Sequence, residues 1–582
     1  MRTSLTALCL IVASCSSTEE LAAPSATNVI LIMTDDQGWG DFGFQGTPAV
    51  KTPSLDRLAA ASARMDTFYV SPVCTPTRAA LMTGRWTQRS TAIDTYIGRA
   101  MLRPEETTLA EALRDAGWAT GIFGKWHLGD CYPMRAMDQG FEEALVHRGG
   151  GIGQPSDPEG GEGKYTDAIL EHNGERVATE GYCTDVYFDA AWEWLANAHE
   201  VGQPFFAYIA TNAPHGPFHD VPTELYGEYR AADLSASRLA HDSGHALPAK
   251  HDEDRLARIF AMITNVDENV GRLLDRLEDL GALEDTLILF LVDNGPNSRR
   301  WVGGMRGKKS EVYEGGIRSP LLAHWPSQLE AGHSSDRISA HVDLMPTILD
   351  ACGVEIPAAL DGRSLLPLLA GTETEWPDRA LTIQAHRGNV PLRYHNFALR
   401  TQRWKLLNAS GFHRELESLE PKFELYDMQS DPLELENLAS KNPEIVARLR
   451  ASYDQWFEDV GATDPTRYAP PLIALGAKAA PRVTLTRQDW RLIGEARDHG
   501  EWHVDVRHPG PYRMRVRFLA GQSVRRLRLR CGNTDEERVI ADGAGAVTLD
   551  DVSLPVGEAR LRFDLEDGER TFGPYQVTLE RP

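Results

Sequence analysis

Basic residues and cysteines are scarce in this sequence, and each shortage excludes something. Lys and Arg number 60 against 84 Asp and Glu, a formal net charge of -24. A surface that tracks a polyanion such as nucleic acid is therefore not expected, and an anionic ligand needs a local cationic pocket in an acidic body. Seven cysteines, at positions 9, 15, 74, 131, 183, 352 and 531, are too few for a disulfide scaffold in 582 residues. One pair such as Cys131 and Cys183 is left open, since spacing does not supply the geometry of a bridge. No apolar run approaches the length of a membrane-spanning helix. The length itself exceeds one ordinary core, so at least two domains are expected.

The N-terminus reads as a targeting segment. Arg2 supplies charge, Leu5 to Ala13 a short apolar stretch, and a Ser/Thr/Glu-rich tract follows. Val12-Ala13-Ser14-Cys15 is similar to a bacterial lipobox, which implies that Cys15 is lipidated. A plain secretory signal is the alternative. Both readings export the protein, to the bacterial periplasm or to an outer-membrane anchor, with membrane contact only through lipid.

Four apolar runs end in polar clusters. Asn28 to Met33 reads as a buried parallel strand and stops at Thr34-Asp35-Asp36. Thr120 to Phe123 runs out into Gly124-Lys125-Trp126-His127, and Pro204 to Ala210 into Thr211-Asn212-Ala213-Pro214-His215. Thr286 to Val292 stops at Asp293-Asn294-Gly295. A turn or a solvated side chain explains any one of these. Together they lie where open α/β sheets bind ligands, beyond the carboxyl ends of their strands. The glycine-rich stretch from His147 to Tyr165 reads as a loop over that edge, with His147 and Arg148 at its base as substrate-contact candidates. A helical pattern from Glu253 to Leu280 puts Ile259, Met262, Ile263, Val266, Val270, Leu273, Leu274 and Leu277 on one face.

The string Cys74-Thr75-Pro76-Thr77-Arg78, running on to Leu81-Met82-Thr83-Gly84-Arg85, ties these clusters together. Alone, Cys74 is an ordinary buried thiol. With its tail it closely resembles the signature of type I sulfatases, of the alkaline-phosphatase-like superfamily. Gly124 to His127, Pro214-His215 and Lys309 to Pro320 match further elements of that family in the same order. The resemblance spans about Asn28 to Val460. It implies that a separate maturation enzyme oxidises Cys74 to formylglycine (3-oxoalanine), whose hydrate is the nucleophile. One hydroxyl attacks sulfur to give a sulfated enzyme; the other then loses its proton and expels sulfate.

The same resemblance implies that Asp35, Asp36, Asp293 and Asn294 bind one divalent cation, Ca2+ in first place and Mg2+ in second, which also contacts residue 74. Arg78 and Lys125 would hold the nucleophile, and His127 would take the proton that releases sulfate. His215 and Lys309 would grip sulfate oxygens and protonate the leaving alcohol. Spacing from Glu314 picks Lys309, not Lys308; Ser310 stands where the family usually has glycine.

The fold expected is α/β: a large mixed, mostly parallel sheet sandwiched by helices, over residues 28–380. A small α+β C-terminal subdomain (381–460), a Pro/Ala-rich linker (461–481) and an appended all-β sandwich domain (482–582) follow. The sandwich reads equally as a carbohydrate-binding or a packing module. The activity expected is hydrolysis of sulfate monoesters on a sulfated polysaccharide or oligosaccharide. A phosphonate or phosphate ester hydrolase, or an idle surface glycan-binding lipoprotein, are the alternatives.

Overall fold

The structure is a computed structural model that describes residues 28–582, apart from 237, 240–242, 374, 413–419, 495–496, 520, 542, 569 and 582. The targeting segment and Cys15 lie outside the described residues.

The strand Asn28–Thr34 sits inside an 11-stranded sheet, pairing in parallel with Thr286–Val292 on one side and Phe205–Ala210 on the other. Ala119–Lys125 and then Glu143–His147 extend the parallel run. Ala63–Tyr69 and Arg318–His324 form its antiparallel flank. Side chains of the central strands are apolar on both faces because helices cover both. On one face lie Cys74–Thr83, Leu109–Asp115 and Leu344–Ala351; on the other lie Pro53–Ala61, Cys183–Glu200 and Glu253–Leu280.

The helix Glu253–Leu280 has the bounds its periodicity indicates. Asp252 caps it by accepting from Arg255 N at 2.9 Å, and Gly281 ends it at φ 72°. Every residue of its apolar stripe is buried.

Parallel pairing has one consequence for chemistry: all five strands bring their carboxyl ends to one edge. Asp35, Asp293, Thr211, Trp126 and Arg148 each follow a strand that ends there.

Beyond the sheet, Leu381–Gln384, Phe397–Arg400, Trp404–Asn408 and Glu424–Asp427 make a four-stranded antiparallel sheet, against which Pro443–Asp459 packs. From Ile473 onward the chain forms two sheets of seven and four strands face to face. Alternation is clean in Gly500–Val506 and Tyr512–Arg517, whose inward residues include Trp502, Val504, Tyr512 and Met514.

The linker's bounds are corrected, and the question left open for Cys131 and Cys183 is answered. The stretch 461–481 contributes a strand, Ile473–Leu475, parallel to Val504–Val506, so the chain enters the sandwich before residue 482. Cys131 and Cys183 are both free: Cys131 packs with the sandwich core and donates to Thr484 O, while Cys183 starts a helix under the large sheet. No helix among the described residues is long and apolar enough to cross a membrane.

Candidate active site

Cys74 is the first residue of the helix Cys74–Thr83, every residue of which is buried. Its backbone position places residue 74 at the positive end of the helix dipole, where negative charge is favoured. Pro76 suits the first turn because it lacks a donor that the turn would leave unpaired. Cys74 Sγ lies 3.4 Å from Asp35 Oδ1 and 3.3 Å from Lys309 Nζ. Potential ligand atoms of Asp35, Asp36, Cys74 and Asp293 all lie within 4.8 Å of one another.

The carboxylates are held from outside the cluster. Arg78 Nη2 donates to Asp293 Oδ2 at 2.9 Å and lies 3.7 Å from Asp35 Oδ2, while its Nη1 donates to Lys125 O at 2.9 Å. Lys125 Nζ pairs with Asp35, and Lys309 Nζ with Asp36. Three acids thus meet three bases, so the repulsion among the carboxylates is answered in part by the chain itself.

It is not answered fully. Burial and the neighbouring Asp35 push Asp293 up to about 7 even with Arg78 and Lys125 beside it. Asp35 goes the other way: burial opposes its charge, but Lys125, His215, Arg78 and Lys309 outweigh burial and hold it well below the usual carboxylate range. Asn294 Nδ2 donates to Asp36 Oδ1 at 2.9 Å, which leaves Asn294 Oδ1 buried with no donor. An amide oxygen in that state beside three hard carboxylates fits a cation and costs free energy without one.

Burial, Asp35 and Asp293 raise the Cys74 thiol to about 12. An unmodified Cys74 is therefore a protonated thiol here, and the thiolate is what a cysteine nucleophile requires.

The two histidines differ in tautomer. His127 Nε2 meets Thr95 O at 2.7 Å, and because a carbonyl only accepts, the proton is on Nε2. Its Nδ1 is buried and without a partner. Burial and Lys125 lower its pKa well below the ordinary value, so it is a neutral acceptor. His215 Nδ1 donates to Gly216 O at 2.7 Å, which turns Nε2 toward Asp36 at 3.7 Å.

Backbone at φ 63° for Asp36 and 58° for His127 marks the site as a place where strain is kept. Ser310 has φ 75°, the left-handed region that glycine adopts without penalty. That explains why its departure from glycine matters: the chain keeps its course and the serine carries the strain.

A cavity of about 580 Å3 opens above Cys74 and is lined also by His127, His215 and Lys309. The glycine-rich loop crosses it closely. A Cβ on Gly150 would come within 3.0 Å of the His127 ring, and one on Gly151 within 2.7 Å of the His215 ring. Glycine at these two positions is what lets the loop lie on both histidines.

His147 and Arg148 are the sequence candidates that the structure places elsewhere. His147 Nε2 pairs with Asp157 at 2.6 Å, and Arg148 pairs with Glu171 at 3.2 Å and donates to Ser156 O. Both are buried, anchor the loop, and do not line the cavity over Cys74. Sequence reasoning also missed residues that do line it: Thr95 and Tyr96, Arg387 and Phe412, and Arg487, Gln488 and Trp490 of the sandwich. A lone Arg or Gln in a turn carries no local sign of such a role.

A buried nucleophile position among acids, bases and an open amide oxygen, at the carboxyl edge of a parallel sheet, defines a hydrolase for esters of an oxyanion. A family model described as Sulfatase matches residues 27–354, and one described as N-sulphoglucosamine sulphohydrolase, C-terminal matches residues 307–458. N-acetylgalactosamine-6-sulfatase of Sus scrofa is 31% identical over 408 residues, covering 66% of this chain and 72% of that protein. Arylsulfatase A of Homo sapiens is 32% identical over 480 residues, covering 74% and 87%. A crystal structure named Ps i-CgsB aligns with a TM-score of 0.63 at 25% identity, covering 77% of this chain and 94% of that one. The chain belongs to the sulfatase family, and it is a sulfuric ester hydrolase of alkaline-phosphatase-like fold.

Proposed function

We propose that this sulfatase removes sulfate from a sulfated polysaccharide or its oligosaccharides, with residue 74 acting as formylglycine. One observation carries the reading. Cys74 lies at the floor of an open cavity, between a potential cation site and three bases, as a thiol that is itself inert. A gem-diol at that position replaces the thiol by oxygens within reach of Asp35 and Lys309.

Asp35, Asp36, Asp293 and Asn294 would hold the divalent ion; four hard oxygen donors suit Ca2+ before Mg2+. Bound there, it would supply positive charge that favours an ionised oxygen on residue 74 and relieves the carboxylates.

The remaining work belongs to the chain. Arg78 and Lys125 hold Asp293 and Asp35 in place. Lys309 keeps its proton, because Asp36, Cys74 and Asp35 outweigh burial and raise its pKa well above the ordinary value. It stands at the cavity floor beside His215, where the two can grip sulfate oxygens and pass a proton to the leaving alcohol. His127, neutral and with Nδ1 unpaired, accepts the proton of the second hydroxyl.

Substrate size is supported by the surroundings. A groove of about 510 Å3 shares Lys309, Ser310 and Phe412 with the cavity and adds Arg299, Arg306 and Lys308. Such a cleft suits an anionic chain longer than one sugar, and a relative is named for a sulfated amino sugar. Export with a lipid on Cys15, a maturation enzyme as partner, and the divisions at 380 and 460 complete the reading.

The test is sulfate release by wild type and Cys74→Ala, each produced with the maturation enzyme, on sulfated oligosaccharides with the desulfated position read by NMR. Wild type is expected to act and the variant to lose at least about 10^4-fold in turnover. Equal release by both would sink the mechanism.

A further inference from the structure

The cavity over Cys74 is walled in part by the C-terminal sandwich, and the cavity lining as a whole is cationic. Lys309, Arg387, Arg487 and Arg497 line the cavity with no carboxylate among the lining residues, in a chain of net charge -24. Lys309 already faces Asp36. Arg387 is fixed by its pair with Asp94 and by donating to Thr95 Oγ1 at 2.9 Å, its guanidinium 4.1 Å from the Tyr96 ring centre.

Arg487 differs. Its Nε and Nη2 donate to the carbonyls of Pro574 and Gly573 at 3.1 and 3.0 Å, and among the described residues it makes no ion pair. Burial lowers its pKa, and Asp498 and Tyr575 offset only part of that. A half-buried guanidinium that makes no ion pair is open to an anionic partner.

Its position is set firmly against the chemistry. Gln488 Nε2 donates to Thr95 O at 2.8 Å, the same carbonyl that takes His127 Nε2-H, and Gly98 N donates to Gln488 O at 2.7 Å. Asp130 N donates to Asp489 Oδ2 at 3.1 Å. The turn 487–490 is thus part of the active-site wall, not of a separate module.

We propose that Arg487, with Arg387 and Arg497, forms a second anion subsite that receives a further negative group of the substrate while its scissile sulfate sits at residue 74. The planar guanidinium takes a carboxylate or a sulfate in two parallel hydrogen bonds, and the chemistry of the two is shared. The preferred substrate is then a sulfated sugar carrying a second sulfate or joined to a uronic acid. This rests on the sulfated-sugar reading above and narrows it.

The test compares kcat/KM on three substrates with the same scissile sulfate: an otherwise neutral N-acetylhexosamine sulfate, the same sugar with a second sulfate, and the same sugar linked to a uronic acid. Wild type should prefer at least one charged substrate. Arg487→Ala should cut that preference roughly 10- to 100-fold, chiefly through KM, with Arg487→Lys recovering part of it. The arm that loses preference identifies the group as carboxylate or sulfate. Release without charge preference, or an equal fall on all three substrates as a merely structural role gives, overturns this inference alone. No release from any of the three beside turnover of an aryl sulfate overturns the sugar reading and this inference with it.

Discussion

Two buried ionic clusters in this molecule look alike and are not. Around Cys74, Asp35, Asp36 and Asp293 meet Arg78, Lys125 and Lys309. Under the small antiparallel sheet, Lys405 is shared by Glu314 at 2.9 Å and Glu434 at 2.7 Å, with Arg318 on Glu314 at 2.7 Å. Side chains of the two acids and the lysine in the second cluster are wholly withdrawn from water, as are Asp35, Asp293 and Lys125 in the first. Burial and paired charge therefore do not mark function by themselves. The first cluster opens through Lys309 and Cys74 into a cavity, and it holds an amide oxygen that no donor meets. The second joins the two sheets: Glu314 belongs to the turn before Arg318–His324, and Lys405 to Trp404–Asn408.

Replacing one charged residue in each cluster should separate them. Asp293→Asn removes a ligand from the first, and affinity for Ca2+ measured by calorimetry should fall by more than about 100-fold, with sulfate release falling alongside. Thermal stability without Ca2+ should change far less. If Asp293→Asn binds Ca2+ as wild type does, the cation does not sit at these residues.

Lys405→Met should do the reverse, because it leaves the buried Glu434 without a cationic partner and Glu314 with Arg318 alone. A loss of about 3–5 kcal/mol in urea unfolding is expected, with kcat/KM of the folded fraction near that of wild type. The acid limb sharpens this. Burial raises Glu314, but Lys405, Arg318 and Arg400 outweigh it and hold it near 2, below its ordinary 4.5. A depressed carboxyl stabilises the fold above its unfolded pKa, so this contribution is present above about pH 4.5 and is lost as pH falls toward 2. Unfolding followed across that window should show a shallower fall for Lys405→Met than for wild type.

The smallest effect belongs to Ser310→Gly. It relieves a left-handed φ at the border of the active cluster, while glycine costs chain entropy, so stability should shift by no more than about 1 kcal/mol. Differential scanning calorimetry reads that shift; a large loss would show that the serine side chain is needed.

The contrast also explains what could be read from sequence. The first cluster was legible because four continuous apolar strands each stop at polar residues, and parallel pairing carries those ends to one edge. Cys74 was legible because its neighbours Pro76 and Arg78 have their own jobs in the helix start and in holding Asp293. His147 and Arg148 were read as contacts because their partners, Asp157 in the loop and Glu171 in the strand Ile169–His172, are met only in the fold, so a polar base looked like a binding surface. The sandwich's share of the cavity was invisible for a different reason. Gln488 reaches Thr95 across 393 residues, a contact that no local pattern encodes. The strand 473–475 was missed likewise, since its only cue is pairing with Val504–Val506.

The most direct measurement is the mass of the peptide holding residue 74, taken from protein that releases sulfate. An aldehyde in place of the thiol, at a stoichiometry that follows activity, is the result this account predicts. Full activity from protein whose residue 74 is still a thiol would contradict it.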